Sequence, residues 1–118
     1  MQLLTLLKSK IHRATVTDAN VDYVGSITID QDLMERSGIR NGELVHVWNV
    51  INGKRFVTYA IPGEKRSGVI CINGAAAHLC KSGDKVIIVA FTLTDEDITP
   101  RMILVDDDNK FLRSIQFP

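Results

Sequence analysis

The sequence predicts a compact, mostly β, barrel-like domain with one or two short helices. Turn-forming residues recur about every ten residues, a spacing typical of many short strands. Apolar residues are spread evenly, and there is no internal repeat, low-complexity tract or linker. The 118 residues are therefore expected to form one domain, residues 1–118, which is long enough to bury a core without disulfides or a metal.

The first third of the chain contains two predicted strands and one short helix. Residues 11–17 form the first strand, in which Val16 is flanked by threonines. The second strand, Ser26–Asp30, alternates polar and apolar residues as a half-buried strand does. Asp30 can cap a helix that follows it, and Gly38 can end that helix.

The middle of the chain has the pattern of a β-hairpin. Residues 43–50 are rich in β-branched side chains, and residues 55–61 form the predicted return strand. Asn52-Gly53 lies between them and is the strongest short hairpin signal. Pro62-Gly63 is expected to stop the return strand, because proline cannot donate to a sheet.

The last part of the chain contains further strands around one long apolar run. A strand over residues 69–72 precedes a short helix over residues 74–80, which is favoured by three consecutive alanines. Residues 85–93 are almost continuously apolar and β-branched, which predicts a central buried strand. A strand at residues 102–105, an acidic turn at residues 106–109 and a final apolar stretch complete the chain.

Composition and charge exclude several classes of partner. Apolar residues make up 45% and charged residues 24%, and the formal net charge is zero. No basic excess is present to attract nucleic acid or an anionic membrane. No apolar run has the length of a membrane span, and we expect no signal peptide. Cys71 and Cys80 are expected to be reduced and buried, which points to the cytoplasm.

General motifs identify no site. The chain contains no phosphate-binding loop, dinucleotide fingerprint, nucleophile elbow or paired-cysteine zinc motif. The three histidines lie far apart in sequence, so no metal site is expected.

Four segments, in their order and spacing, resemble the bacterial pyruvoyl-dependent aspartate 1-decarboxylases. Residues 10–13 (Lys-Ile-His-Arg) are similar to the opening of that family, and residues 23–30 (Tyr-Val-Gly-Ser-Ile-Thr-Ile-Asp) to its self-cleavage segment. Residues 48–61 resemble its central hairpin, and residues 73–78 (Asn-Gly-Ala-Ala-Ala-His) its substrate-binding loop. The resemblance covers approximately residues 3 to 93. It implies a double-psi β-barrel, a homotetramer and decarboxylation of L-aspartate to β-alanine for pantothenate biosynthesis.

The resemblance also implies a covalent cofactor, a pyruvoyl group made from Ser26. The family's precursor is cut between the residues that correspond to Gly25 and Ser26, which would give chains 1–25 and 26–118. The Ser26 hydroxyl would attack the Gly25 carbonyl, and Thr58 would donate to the oxyanion that forms. We expect glycine at position 25 because a tight turn there would hold the carbonyl in a strained conformation.

Decarboxylation requires an electron sink, which ordinary side chains lack and a pyruvoyl group provides. By resemblance, Tyr59 returns a proton to the substrate Cα. Arg55 is the candidate residue that binds the substrate carboxylate that is not lost, since its planar guanidinium group can form two parallel hydrogen bonds with a carboxylate. The remaining substrate-binding candidates line the same pocket by resemblance: Lys10, Asn73, Gly74, Ala75, Ala76, Trp48 and His12.

Each candidate also has an ordinary structural interpretation. Tyr59 could pack within a sheet, Lys10 could be a solvated surface lysine, and Asn73 could cap the following helix while also binding substrate. Trp48 and His12 could be core residues.

Strand geometry sets a condition on this assignment. Arg55 and Tyr59 share one face of a strand but lie roughly 13 Å apart, whereas Thr58 faces the opposite side. One regular strand therefore cannot bring all three to one substrate, and different subunits would supply Arg55 and Tyr59.

The resemblance fades after Thr94, and Pro62-Gly63 departs from it, which leaves subunit contacts and a possible maturation factor open. The alternative is an unprocessed, non-catalytic β-barrel with a binding or regulatory role.

Overall fold

A computed structural model describes residues 1–118, which form nine strands, one α-helix and one 3₁₀ helix. The strands share one sheet in the order β2-β6-β3-β5-β4-β7-β1-β8-β9. Their bounds are β1 Leu4–Thr15, β2 Asp18–Asn20, β3 Ser26–Asp30, β4 Leu44–Asn49, β5 Arg55–Gly63, β6 Ile70–Asn73, β7 Lys85–Thr94, β8 Arg101–Val105 and β9 Phe111–Ile115. The helices are α1, Gln31–Ser37, and the 3₁₀ helix Gly74–His78. The prediction of a mostly β, barrel-like fold is confirmed.

The barrel closes because β2 continues β1. After β1 ends, the Thr17 N–H donates to the Ile70 carbonyl at 2.8 Å, and β2 then pairs in parallel with β6. The same stretch of chain therefore borders β7 through β1 and β6 through β2. Strands β8 and β9 add to β1 outside this closed circuit.

The core is built from the apolar positions of the alternating strands. In β3 and β6, Ile27, Ile29, Ile70 and Ile72 are fully buried, and Ile27 pairs with Ile72 across an antiparallel ladder. Since side chains alternate along a strand, the polar residues between these isoleucines point to the other face of the sheet. The central position of β7, between β4 and β1, is as the apolar run predicts.

Helix α1 has the ends that the sequence predicts. The Asp30 carboxylate accepts from the Asp32 N–H at 2.9 Å, which caps the first turn. Gly38 ends the helix in the left-handed conformation, with φ of 78°. Asp30 also accepts from the N–H groups of Arg66 and Gly68, both at 2.8 Å, so it fixes the loop before β6.

Three predicted boundaries were wrong. The first strand, predicted over residues 11–17, is β1 and runs over Leu4–Thr15. Strand β5 does not stop before Pro62-Gly63 but continues through both residues, which pair in parallel with Ile29 and Asp30 of β3. This is possible because the antiparallel pairing of β5 with β4 has already ended at Tyr59, so that the other edge of β5 is free at the proline. The alanine-rich helix is a 3₁₀ turn over Gly74–His78 rather than a helix over residues 74–80.

The central hairpin forms with a longer loop than an Asn-Gly turn alone requires. Strands β4 and β5 pair from Leu44–Tyr59 to Trp48–Arg55, which leaves residues 50–54 as the loop. The Asn49 side-chain oxygen accepts from the Ile51 N–H at 2.9 Å, and Gly53 takes a φ of 75°. The Asn49 side chain therefore organises the loop together with the glycine.

Candidate active site

Ser26 begins β3 beside the last residue of β6. Ser26 and Asn73 are Cα partners in the antiparallel ladder, and the Asn73 Nδ2 donates to the Ser26 Oγ at 2.9 Å. The same amide group donates to the Thr28 Oγ1 at 3.1 Å. Ser26 is only 2% exposed, so its hydroxyl is held by the protein in a fixed position. The side chain of Asn73 does not cap the 3₁₀ helix, which excludes the capping interpretation.

The segment before Ser26 is in close contact with the start of the 3₁₀ helix. Gly74 has a φ of 73°, and a Cβ on it would lie 2.6 Å from the Gly25 Cα and 2.8 Å from the Gly25 nitrogen. A side chain at position 74 would therefore displace the backbone of Gly25. Ala75 is exposed and Ala76 half-buried on this helix.

Gly25 itself does not have a positive φ, and a Cβ built on it would meet no atom within 4 Å. The requirement for glycine lies at Gly74 instead, where both the left-handed conformation and the close approach occur.

Tyr59 lies next to Ser26 through the parallel ladder of β3 and β5. Ile27 pairs with Ala60, so Ser26 and Tyr59, each one residue earlier, are neighbours on the opposite face from the core. Tyr59 is 41% exposed and its ring is accessible. Thr58 is half-buried opposite Val45 and points to the core side of the strand, as the alternation predicts.

Arg55 lies at the other end of β5, on the same face as Tyr59. It pairs with Trp48 of β4, and its guanidinium carbon stands 4.7 Å from the centre of the Trp48 ring. A shallow surface pocket here is also lined by His46, Val57 and Phe91. His46 and Phe91 meet edge to face at 5.3 Å. The Trp48 ring thus orients the Arg55 guanidinium group, which remains exposed and can bind an anion.

Lys10 and His12 belong to β1, which β7, β4 and β5 separate from β3. Lys10 pairs with Val89 of β7, which in turn pairs with His46 of β4, so Lys10 lies on the face that carries Arg55. The His12 Nδ1 is buried without a hydrogen-bond partner. Burial, followed by the charges of Lys10 and Arg13, lowers the pKa of His12 from its ordinary value.

The structure therefore divides the predicted residues into two groups within one chain. The Ser26 cluster contains Gly25, Ser26, Tyr59, Asn73, Gly74, Ala75 and Ala76, whereas Thr58 faces the core side of β5 and is not brought to them. The Arg55 face contains Arg55, Trp48, Lys10 and His12. Residues of the two groups lie on different parts of the barrel, apart from the shared strand β5.

Sequence reasoning missed two residues of the Ser26 cluster, Thr28 and Cys71. The Cys71 Sγ donates to the Asn73 Oδ1 at 3.2 Å, on the side of the amide opposite Ser26. Both residues occupy polar positions between isoleucines, in Ser26–Asp30 and in Ile70–Asn73. The period of two in these strands is the pattern that could have placed them on one face.

Neither helix has both the length and the apolar character that a bilayer span requires. No three side chains of the His, Cys, Asp and Glu types come together as metal ligands would.

The similarity to known decarboxylases continues well beyond Thr94, so the expectation that it fades there was wrong. The family model for aspartate decarboxylase matches residues 1–112. The aspartate 1-decarboxylase of Caldicellulosiruptor bescii is 58% identical over 114 residues, which are 93% of this chain and 89% of that protein. The aspartate 1-decarboxylase of Caldicellulosiruptor saccharolyticus is 57% identical, with 94% and 90% covered, and that of Carboxydothermus hydrogenoformans 54%, with 93% and 90% covered. The match to the family model and the identity to these relatives show that the chain belongs to the aspartate decarboxylase family.

Proposed function

We propose that this chain is the precursor of a pyruvoyl-dependent aspartate 1-decarboxylase, which converts L-aspartate to β-alanine and CO₂. The observation that carries the proposal is the hydrogen bond from the Asn73 Nδ2 to the Ser26 Oγ, at 2.9 Å. The hydroxyl that this bond positions belongs to the residue directly after Gly25. Relatives up to 58% identical along nearly the whole chain are aspartate 1-decarboxylases.

Self-cleavage begins with the Ser26 hydroxyl. Its oxygen attacks the Gly25 carbonyl carbon, the amide nitrogen leaves as the free amine, and an ester joins the two residues. The oxyanion that forms during this attack needs a donor, and the resemblance to the family assigns this role to Thr58, although its side chain points to the core side of β5 in the uncut chain. The Ser26 Cα then loses its proton to solvent, and the Cβ–Oγ bond breaks, with its electron pair leaving on the Gly25 carboxylate. Water replaces the amine of the resulting dehydroalanine, which releases ammonia and leaves a pyruvoyl group at the start of chain 26–118.

The surroundings of Ser26 fit such a group. The site is almost closed to solvent, and the Nδ2 of Asn73 faces the reacting side chain. Gly74 brings backbone against Gly25 without a side chain between them. A pyruvoyl group here would supply the ketone and the electron sink that decarboxylation of an amino acid needs.

The chain's own residues bind and orient aspartate and move one proton. Arg55, held against Trp48, binds the β-carboxylate with two parallel hydrogen bonds, and Lys10 adds a second positive charge. Tyr59, next to Ser26 and accessible, gives the proton that Cα needs after CO₂ has left. Asn73 and the backbone of residues 74–76 form the wall nearest Ser26, and His12 and Trp48 line the wall at Arg55.

Two subunits contribute to each site in this proposal, in a homotetramer. Within one chain, Arg55 and Tyr59 are four residues apart on one strand, which is too far for one aspartate. The sheet face that carries Arg55 and Tyr59 also carries apolar side chains that are unusually exposed: Val57 at 55%, Leu44 beside Tyr59 at 58%, and Leu93 at 63%. A second subunit that covers this face would bring its own Tyr59 and Ser26 to Arg55.

The setting of the reaction follows from its product. β-Alanine feeds pantothenate biosynthesis, which places the enzyme in the cytoplasm, where free thiols such as Cys71 and Cys80 stay reduced. A maturation factor is the remaining partner we propose, and it would act on the step at Gly25-Ser26.

The mass spectrum of the purified chain tests the proposal. We expect two species, one ending at Gly25 and one beginning at position 26, the larger lighter by one ammonia than a serine-terminated chain. Ser26→Ala should give a single uncut chain, and Ser67→Ala, at an exposed serine, is the matched control. A wild-type chain that stays uncut after warming and after incubation in extract of the source cell would favour a non-catalytic barrel.

A further inference from the structure

We propose that Cys71 is a positioning residue for self-cleavage: its thiol orients the Asn73 amide so that the Nδ2 group, and not the carbonyl oxygen, faces the Ser26 hydroxyl. This inference rests on the proposed function and extends it to a residue that has no contact with the reacting atoms. The thiol acts at the far side of the amide, through the 3.2 Å contact from Sγ to the Asn73 Oδ1.

Four side chains form a rectangle on one face of the sheet. Ser26 and Thr28 lie on β3, opposite their Cα partners Asn73 and Cys71 on β6. The Asn73 side chain lies within this rectangle, with its Nδ2 toward the two hydroxyl groups and its Oδ1 toward the thiol. All three contacts come from one rigid ladder, whose other face is buried in the core.

The two ends of the Asn73 side-chain amide need opposite hydrogen-bond partners, because Nδ2 donates and Oδ1 accepts. A hydroxyl group can either donate or accept, so Ser26 and Thr28 alone would accommodate either orientation of the amide. The Cys71 thiol donates to Oδ1 at 3.2 Å, and a protonated thiol in this position favours the carbonyl oxygen on its side. Cys71 is therefore the member of the rectangle that selects between the two orientations.

The thiol stays protonated in this environment. Burial, and then the charge of Asp18 on the neighbouring strand β2, raises the pKa of the Cys71 thiol above its ordinary value. A protonated thiol keeps the hydrogen that it donates to Asn73. The same condition makes Cys71 a poor nucleophile, which agrees with a positioning role.

The selected orientation matters at the elimination step. When the Cβ–Oγ bond of Ser26 breaks, negative charge develops on the oxygen that leaves with Gly25. An N–H donor already 2.9 Å from that oxygen stabilises this charge, whereas a carbonyl oxygen in its place would repel it. Loss of the thiol should therefore slow elimination and let the ester accumulate before the chain is cut.

A pair of variants that differ by one hydroxyl group tests this role in the full-length precursor. Cys71→Ser keeps a donor, and we expect its cleavage rate, followed by intact mass, to stay within about two-fold of wild type. Cys71→Ala loses the donor and should cleave about five-fold more slowly, the effect of one neutral hydrogen bond. Cys71→Val is a second donor-free variant with a larger side chain, should alanine fail to fold. Cys80→Ala makes the same change outside the rectangle and should cleave at the wild-type rate.

Treatment with hydroxylamine measures how much ester has accumulated, and a mere packing defect at Cys71 would not increase that amount. Under mild conditions hydroxylamine cuts an ester much faster than a peptide bond, and any cleavage at the Asn-Gly bonds 41–42, 52–53 and 73–74 gives fragments of other masses. Uncut Cys71→Ala protein should therefore contain a larger hydroxylamine-sensitive fraction at Gly25-Ser26 than wild type. The role is overturned if the donor-free variants cleave as fast as wild type, if serine is as slow as alanine, or if no excess ester forms. Failure of the wild type to cleave at all would instead count against the proposed function, so the two failures are distinct.

Discussion

The side-chain amide of Asn73 and the hydroxyl of Ser26 are joined at 2.9 Å although 47 residues separate them in the chain. The antiparallel ladder of β3 and β6 places them directly opposite each other. Asn73 makes its contact with both hydroxyl groups of this face through Nδ2, as a donor. Chemistry at Ser26 is therefore expected to depend on a donor at position 73.

Asn73→Asp keeps the size of the side chain and replaces the donor with an acceptor. We expect self-cleavage to slow about ten-fold, since the contacts with Ser26 and Thr28 are lost together. The rate of appearance of chain 26–118 by intact mass measures this. Asn20→Asp is the matched control, because Asn20 uses only its side-chain oxygen, which accepts from the Asp22 N–H at 3.0 Å. Equal cleavage rates in the two variants would contradict a role for the Asn73 donor.

Tyr59→Phe separates proton return from self-cleavage. The variant keeps the ring beside Ser26 but lacks the acidic hydroxyl, so kcat should fall by about a hundred-fold or more while KM changes little. β-Alanine formation per cleaved chain measures the effect, and cleavage itself should proceed. Tyr23→Phe makes the same change at an exposed tyrosine and should retain activity. A Tyr59→Phe enzyme with normal kcat would exclude Tyr59 as the acid.

Mixed oligomers test whether two subunits build each site. Arg55→Ala chains and Tyr59→Phe chains are each expected to be nearly inactive alone. Co-expressed and randomly mixed, they should regain about a quarter of the wild-type sites, because half of the chains supply each intact residue. Activity per cleaved chain, measured on the purified mixture, is the test. No recovery in oligomers shown by mass to contain both chains would place Arg55 and Tyr59 in the same subunit's site.

His12 should make the folded protein less stable in acid. Its pKa is lowered in the folded state, so the unfolded chain binds a proton more readily. The contribution of His12 to stability is therefore complete above its ordinary pKa of 6.5 and is lost as the pH falls below that value. Denaturant unfolding of wild type and His12→Asn between neutral and mildly acidic pH should give a shallower pH dependence for the variant. If the free energy of unfolding fell equally with pH in both proteins, His12 would not be the source of the acid sensitivity.

Local patterns predicted those parts of the fold that depend on neighbouring residues. Asp30 and Gly38 mark the ends of α1 because capping is satisfied within one turn. The boundary at Pro62 was mispredicted because it depends on where the partner strand β4 ends, which the proline itself does not encode. The short strand β2 was missed for a similar reason, since it pairs only through its position beside β6.

The candidate site was less accessible to sequence reasoning than the fold. Ser26 and Asn73 entered through resemblance to a family, because the register between β3 and β6 cannot be read from either strand alone. The close approach of Gly74, which has a positive φ, to the backbone of Gly25 could not be predicted from the sequence, because it joins two segments that are far apart in the chain. Cys71 had no distinguishing motif, and only its distance to the Asn73 amide indicates a role.

The closure of the barrel through β1 and β2 means that the protein should refold differently before and after cleavage. Both strands precede Ser26, and Ile11, Ala14 and Val16 in this part are fully buried in the common core. The uncut chain folds in a unimolecular reaction, whereas the proposed cut between Gly25 and Ser26 would leave the same core shared by two polypeptides. Regaining it from denaturant then requires an encounter between two molecules, so recovery depends on concentration. The cleaved protein would therefore depend on folding that took place in the precursor, and it would refold less readily than the uncut chain.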